Sequence, residues 1–238
     1  MILIKKISNS LFTFLILISI LVSFRSNAEF FKDISHILPD QEPRLSYGIG
    51  VTDFNQDSQY EFIVTGFKYP NLALSYKEGK LENIIDDPLF SDPTSSTIGI
   101  AACDVDRDGN EELYFLNTDT YSGRKKYSDR LLKNSSGKIT DIFEDNVDPN
   151  DLNLTAGRSV VCVDRLGRGK YATYVANYGG PTRFYEFADD KIRDIAPSLG
   201  IDRITGGRAV IAGHILTKNM DIFAANERDS NFLYLNDN

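Results

Sequence analysis

The chain contains no tryptophan and only two cysteines, two methionines and two histidines in 238 residues. Without tryptophan, any ring-stacking surface for a sugar must come from the 12 Tyr and 15 Phe, and most of these stand at strand positions, where core packing accounts for them. His36 lies just outside the opening strand, and His214 falls inside a decayed hairpin loop. No Ser/His constellation or paired acid and base emerges around either one, which argues against catalysis. Cys103 and Cys162 sit in apolar strands with no histidine near in sequence, so neither reads as a nucleophile. Each precedes a loop, in registers that direct them to opposite pleat faces, and two buried free thiols are expected in preference to a bridge between neighbouring units.

Positive charge is also scarce, with 26 Lys and Arg against 34 Asp and Glu. Residues 1–28 hold Lys5 and Lys6, an uncharged run from Ile7 to Phe24, and the small-residue site Ser26-Asn-Ala28, which reads as a secretory signal peptide. An uncleaved anchor is the alternative, although the run is at the lower limit for spanning a bilayer. No cysteine stands just after the run to accept a lipid. Removing the leader's three basic residues takes the formal net charge from −8 to −11. Such an acidic surface disfavours nucleic acid and anionic lipid and suits the high calcium found outside cells. A secreted, extracellular or periplasmic protein with no membrane span after cleavage is therefore expected. The run Arg124-Lys-Lys126 is the local basic exception and reads as a solvated loop.

The most informative segment is Asp104-Val-Asp106-Arg-Asp108-Gly109-Asn110-Glu-Glu112, wedged between apolar stretches. Carboxylates at alternate positions converge only if the chain curls around a common centre, and their repulsion makes that curl costly without a cation. Gly109 permits the turn. An EF-hand is excluded, since its twelfth position would be Phe115 and the flanks read as strands. Calcium in a β-hairpin is expected instead, held by Asp104, Asp106, Asp108, the Asn110 carbonyl and Glu112. Fifty-one residues upstream, Asp53, Asn55, Asp57, Gln59 and Glu61 repeat the pattern with Ser58 in place of the glycine, a looser second candidate. The copies from Asp164 to Ala172 and from Gly213 to Asp221 lack the ligands and should hold no metal.

Strands rich in Ile, Val, Phe and Tyr follow every loop, and an outer strand carries an acid or amide in fixed place at Asp33, Asn83, Asp141 and Asp194, spaced by 50, 58 and 53 residues. Four short strands in about fifty residues are the pattern of a β-propeller blade. The expected units are about 29–77, 78–135, 136–188 and 189–238. Tyr47-Gly-Ile-Gly-Val-Thr-Asp53, Thr155-Ala-Gly-Arg-Ser-Val-Val-Cys-Val-Asp-Arg165, Val175-Ala-Asn-Tyr178 and Thr205-Gly-Gly-Arg208 resemble the family typified by cartilage acidic protein 1 and its bacterial relatives. More broadly the chain is similar to the FG-GAP or VCBS repeat proteins, which include the integrin alpha head. The resemblance implies a secreted, non-catalytic, calcium-binding propeller used for adhesion or extracellular interaction with a protein or glycan.

The expected fold is therefore all-β, with four four-stranded antiparallel blades. A truncated seven-bladed ring is favoured over a closed four-bladed one, and open edges would then promote self-association. The alternative function is a carbohydrate-active enzyme or a sugar-binding protein.

Overall fold

The computed structural model describes residues 30–39 and 43–237, so the expected signal peptide lies outside the described residues. The chain divides into two units, residues 1–36 and 37–238. Phe31 to Ile34 do not form the expected outer strand. The Ser35 amide donates to Asp33 Oδ1 at 2.8 Å, an Asx turn that diverts the chain into the short 3-10 helix Ser35–Ile37.

The second unit is built of antiparallel strands, with helix confined to Pro88–Ser91, Ile142–Asn146 and Ala196–Leu199. Its first sheet is a meander of β1 (Ile49–Thr52), β2 (Glu61–Val64), β3 (Leu72–Lys77) and β4 (Lys80–Asn83). The second repeats that order with β5 (Thr97–Cys103), β6 (Glu112–Asn117), β7 (Arg130–Ser135) and β8 (Lys138–Asp141).

The recurring acid or amide of the outer strand has a structural task. Asn83, Asp141 and Asp194 each accept the backbone N–H of the neighbouring strand, from Ala73 at 2.9 Å, Leu131 at 3.1 Å and Phe184 at 2.9 Å. Each satisfies a backbone donor at the point where the outer strand leaves the ladder.

The all-β character is found, but the four-bladed propeller is not. The remaining strands are β9 (Gly157–Val163), β10 (Ala172–Pro181), β11 (Arg183–Ala188), β12 (Lys191–Asp194), β13 (Ile204–Gly213), β14 (Asp221–Asn226) and β15 (Phe232–Tyr234). They form one seven-stranded sheet in the order β12-β11-β10-β13-β14-β15, with β9 also paired to β10. None of the three sheets closes on itself. The units expected to be separate are joined because β10 runs on through Tyr178-Gly-Gly-Pro181 and pairs with Ile204, Thr205 and Gly206 of β13. Glycine makes that approach feasible, since a Cβ on Gly207 would meet the Asn177 carbonyl oxygen at 2.6 Å.

Strand β6 is buried along its whole length and serves two cores. Leu113 and Phe115 face Phe54, Ile63 and Phe90 from the first sheet's side, while Tyr114 and Leu116 pack with Val160, Val175 and Tyr185. The period of two thus feeds alternate residues to opposite neighbours.

Cys103 at the end of β5 and Cys162 in β9 form a disulfide across a Cα–Cα distance of 5.7 Å, against the expectation of free thiols. Their opposite registers are the reason. In sheets packed face to face, the outward side of one strand meets the inward side of the next.

The run Arg124-Lys-Lys126 is likewise not simply a solvated loop. The Lys125 ammonium is fully buried, pairs with Asp129 Oδ1 and donates to the Asn117 carbonyl at 2.7 Å. Asp129 also accepts the Tyr114 hydroxyl at 2.7 Å, the Asn153 amide at 2.6 Å and the Asn117 N–H at 2.8 Å. Burial lowers the Lys125 pKa, and the opposing attraction of Asp129 offsets part of that effect.

Two measurements check these contacts. Lys125→Ala leaves the Asp129 charge buried without its cation and should cost about 3 kcal/mol in denaturant unfolding, whereas Lys126→Ala should change stability by under about 0.5 kcal/mol. Reducing the bridge, which closes a loop of 59 residues, should lower stability by about 3 kcal/mol with no loss of strand signal in circular dichroism.

Candidate metal centre

In the first sheet the β1–β2 hairpin wraps around the side chain of Asp53, which caps the turn from within. Asp53 Oδ1 accepts the Asp57 N–H at 3.0 Å and Oδ2 accepts that of Ser58 at 2.9 Å. Gln56 and Ser58 adopt left-handed backbone conformations with φ of 63° and 69°. Phe54 turns inward to the core, and Asn134 of the next sheet donates to its carbonyl at 2.8 Å.

The result brings carboxylate oxygens of Asp53, Asp57 and Glu61 within 4.8 Å of one another. Asn55 is placed beside them, its Oδ1 accepting the Asp57 N–H at 2.9 Å and its amide donating to Asp57 Oδ2 at 3.0 Å. Gln59 follows, with its N–H on Asp57 Oδ1 at 2.9 Å.

Glu61 is the unusual member. It has 0% exposure, its Oε2 takes the Phe54 and Asn55 N–H groups at 3.0 and 3.4 Å, and its Oε1 is buried with no partner. Burial raises its pKa above the ordinary carboxylate value, with the N–H bonds from Asn55 and Phe54 acting the other way. A sequestered oxygen among acids, lacking any donor, is the chemistry of a divalent-cation ligand, so hard oxygen donors at this loop fit calcium.

The second loop has the same scaffold and a different balance. Asp104 accepts the Asp108 N–H at 3.1 Å and the Gly109 N–H at 3.0 Å, and carboxylate oxygens of Asp104, Asp106 and Asp108 converge within 4.8 Å. Asn110 donates its N–H to Asp108 Oδ1 at 2.8 Å, and Glu112 takes the Val105 N–H at 3.0 Å.

Into this group the neighbouring β7 sends Lys133, whose ammonium lies 2.5 Å from Asp106, 2.6 Å from Asp108 and 3.0 Å from Glu112. Burial works against the charged ammonium, but the bonds to the three acids win and raise the Lys133 pKa. Burial pushes the Glu112 carboxyl up to about 7, with Lys133 partly offsetting it.

The sequence reading missed Lys133, yet the repeat itself holds a signal. The strand pairs Phe62–Leu74, Leu113–Leu132 and Thr173–Tyr185 make Ser75, Lys133 and Glu186 equivalent positions opposite the ninth loop residue. Beside the Asp53 loop that position is a neutral, buried serine. Beside the Asp104 loop it is a lysine. Beside the third loop, which contains Arg165, it is Glu186, paired to that arginine at 2.9 Å.

The third and fourth loops are occupied by their own bonds. Asp164 caps its turn through the N–H groups of Arg168 at 3.0 Å and Gly169 at 2.7 Å. Asp221 accepts Leu216 N–H at 2.8 Å, Thr217 N–H at 2.9 Å, Thr217 Oγ1 at 2.7 Å and Asn236 N–H at 2.9 Å. Burial opposes ionisation of Asp221, but these donors hold its carboxyl well below the usual range.

No protein-family model matches the chain. Among curated proteins it is similar to cartilage acidic protein 1 of Homo sapiens, with 39% identity over 243 residues that cover 90% of this chain and 37% of the human protein. The Mus musculus protein is 39% identical over 90% of this chain and 38% of its own length, and that of Xenopus tropicalis 38% identical over 89% and 37%. The chain thus spans little more than a third of the length of these relatives. They agree with the extracellular placement read from the leader and the acid balance. The similarity to cartilage acidic protein 1 extends over nine tenths of this chain's own residues.

Proposed function

We propose that the protein is a secreted, non-catalytic interaction module whose Asp53–Glu61 hairpin binds calcium, in the manner of FG-GAP or VCBS repeat loops. The buried, partnerless Oε1 of Glu61 carries this reading. Asp53, Asn55, Asp57, Glu61 and the Gln59 carbonyl would hold the ion. Its charge would offset the mutual repulsion of the three acids and the desolvation of Glu61.

The second hairpin is the weaker site in this reading, although it carries more acids and the favoured glycine. An ion at Asp104, Asp106, Asp108, Asn110 and Glu112 would have to displace the Lys133 ammonium, and that exchange subtracts from its affinity.

Several observations support an extracellular, non-enzymatic role. The Cys103–Cys162 bridge belongs to an oxidising compartment. Among the described residues no helix is long and apolar enough to cross a membrane. His214 Nδ1 is engaged by the Lys218 carbonyl at 2.7 Å within its own loop, which ties the ring to turn structure. The relatives are named as acidic proteins of cartilage, and the formal net charge of −8 here matches that description. The partner is an extracellular protein or glycan.

Calcium titration of the chelator-treated protein tests this reading. At a hundredfold excess over its dissociation constant, calcium should stabilise the protein by about 2.7 kcal/mol in thermal melts. Glu61→Gln should remove most of that gain, and Asp106→Asn should leave most of it. An unchanged response in Glu61→Gln would refute the assignment. Lys133→Ser, which places the first loop's residue beside the second loop, should raise the calorimetric stoichiometry from one ion to two.

A further inference from the structure

The tetrapeptides Thr155-Ala-Gly-Arg158 and Thr205-Gly-Gly-Arg208 stand fifty residues apart and have no part in the calcium loops. Arg158 is the second residue of β9 and Arg208 lies in β13, two of the three strands that pair with β10. The strand pairing that joins the last two units therefore brings the two arginines to one place. Tyr178, near the end of β10, lies between them, and Tyr121 reaches in from the segment that connects β6 to β7.

The ring centroids are 5.3 Å apart. The Arg158 guanidinium is 5.0 Å from the Tyr121 ring and 5.7 Å from that of Tyr178, and the Arg208 guanidinium is 5.4 and 5.0 Å from the same rings. Two like charges thus share one pair of aromatic rings.

Negative charge in the cluster is insufficient. Arg208 pairs with Glu227 and donates to the Tyr121 hydroxyl at 2.6 Å, and the Arg228 Nε lies 3.5 Å from the same glutamate. Arg158 has no carboxylate in ion-pair range among the described residues. Its Nη1 donates to the Gly157 carbonyl at 3.0 Å, its Nη2 donates to the Tyr121 carbonyl, and its Nε is buried with no partner. Glu227 is thus shared by Arg208 and Arg228 and leaves Arg158 without a counter-charge, in a chain with a formal net charge of −8. Burial first, and then Arg208, lower the Arg158 pKa, which marks the charge as under-compensated. Tyr121 is 61% exposed, so the cluster opens to solvent.

We propose that Arg158, Arg208, Tyr121 and Tyr178 form a binding site for a compact oxyanion, the carboxylate or sulfate of an acidic sugar. Guanidinium forks match the planar or tetrahedral oxygens of such groups, and the exposed tyrosine ring offers a face to the sugar's C–H groups. Glu227 is the internal competitor of the ligand, since it already takes up the charge of Arg208.

The test uses sodium sulfate and sodium glucuronate as probes in calcium-free buffer, with sodium chloride at matched ionic strength and glucose as controls. Binding is followed by melting temperature and by the arginine Nε–H resonances. Both oxyanions should raise the melting temperature and shift the Arg158 and Arg208 resonances, and neither control should. Sulfate acting as strongly as glucuronate places the affinity in the oxyanion alone, and a tighter glucuronate adds the ring contact; both outcomes sustain the site.

Arg158→Met should weaken binding about tenfold, as expected for loss of a charge-assisted hydrogen bond. Glu227→Gln should strengthen it several-fold, which no general loss of structure can mimic. A sulfate response equal to that of chloride, glucose binding as well as glucuronate, or unchanged affinity in Glu227→Gln would each overturn the proposal. If Arg158→Met fails to fold, Arg208→Gln and Glu227→Gln carry the test through their opposite expected directions.

Discussion

A carboxylate withdrawn from water must be met by positive charge or by enough N–H groups, and this requirement at the ninth position of each hairpin loop organises the protein. The side chain there sits where the loop re-enters the sheet and cannot turn outward. Glu61 and Glu112 are both almost without exposure, yet their surroundings differ. The first leaves an oxygen unpartnered, and the second meets a lysine from the adjoining strand. Asp221, one methylene shorter, is surrounded by four donors from its own turn and from Asn236. In the third loop Ala172 removes the difficulty altogether. One backbone template thus carries four electrostatic solutions, and where the ninth residue is a glutamate the residue opposite on the next strand separates the two cases.

Much of this was legible in the sequence. The hairpin loops announced themselves through alternating acids and Gly109, and the strands through β-branched and aromatic runs between loops. The outer strands were marked by Asn83, Asp141 and Asp194, whose spacing reflects a bond each makes to a neighbouring backbone N–H. Asp33 carries the same local motif and makes no strand, since its carboxylate is spent on the Ser35 amide two residues away. Local pattern alone does not distinguish a side chain that bonds across a sheet from one that closes a turn.

What escaped the sequence reading depends on contacts between distant segments. Lys133 lies 21 residues beyond Glu112, and only strand register shows that it faces the acids. Lys125 looked like part of a solvated basic loop, but the chain between β6 and β7 folds it onto Asp129 beneath Asn117 and Asn153. The register argument for Cys103 and Cys162 assigned them to opposite strand faces. It did not anticipate that packed sheets present those faces to each other. The join of β10 to β13 was equally hidden, because it relies on backbone pairing at glycines and a proline, where side-chain patterning is silent.

That join sets a limit on how the gene can be cut and pasted. The first two sheets each use a run of four consecutive strands, so each backbone ladder is complete within its own unit. The last two units share β10, which lends its first half to one neighbour and its tail to the next. Loss of either would strand the other with unpaired backbone at Tyr178–Pro181, so these two units are constrained to stand together.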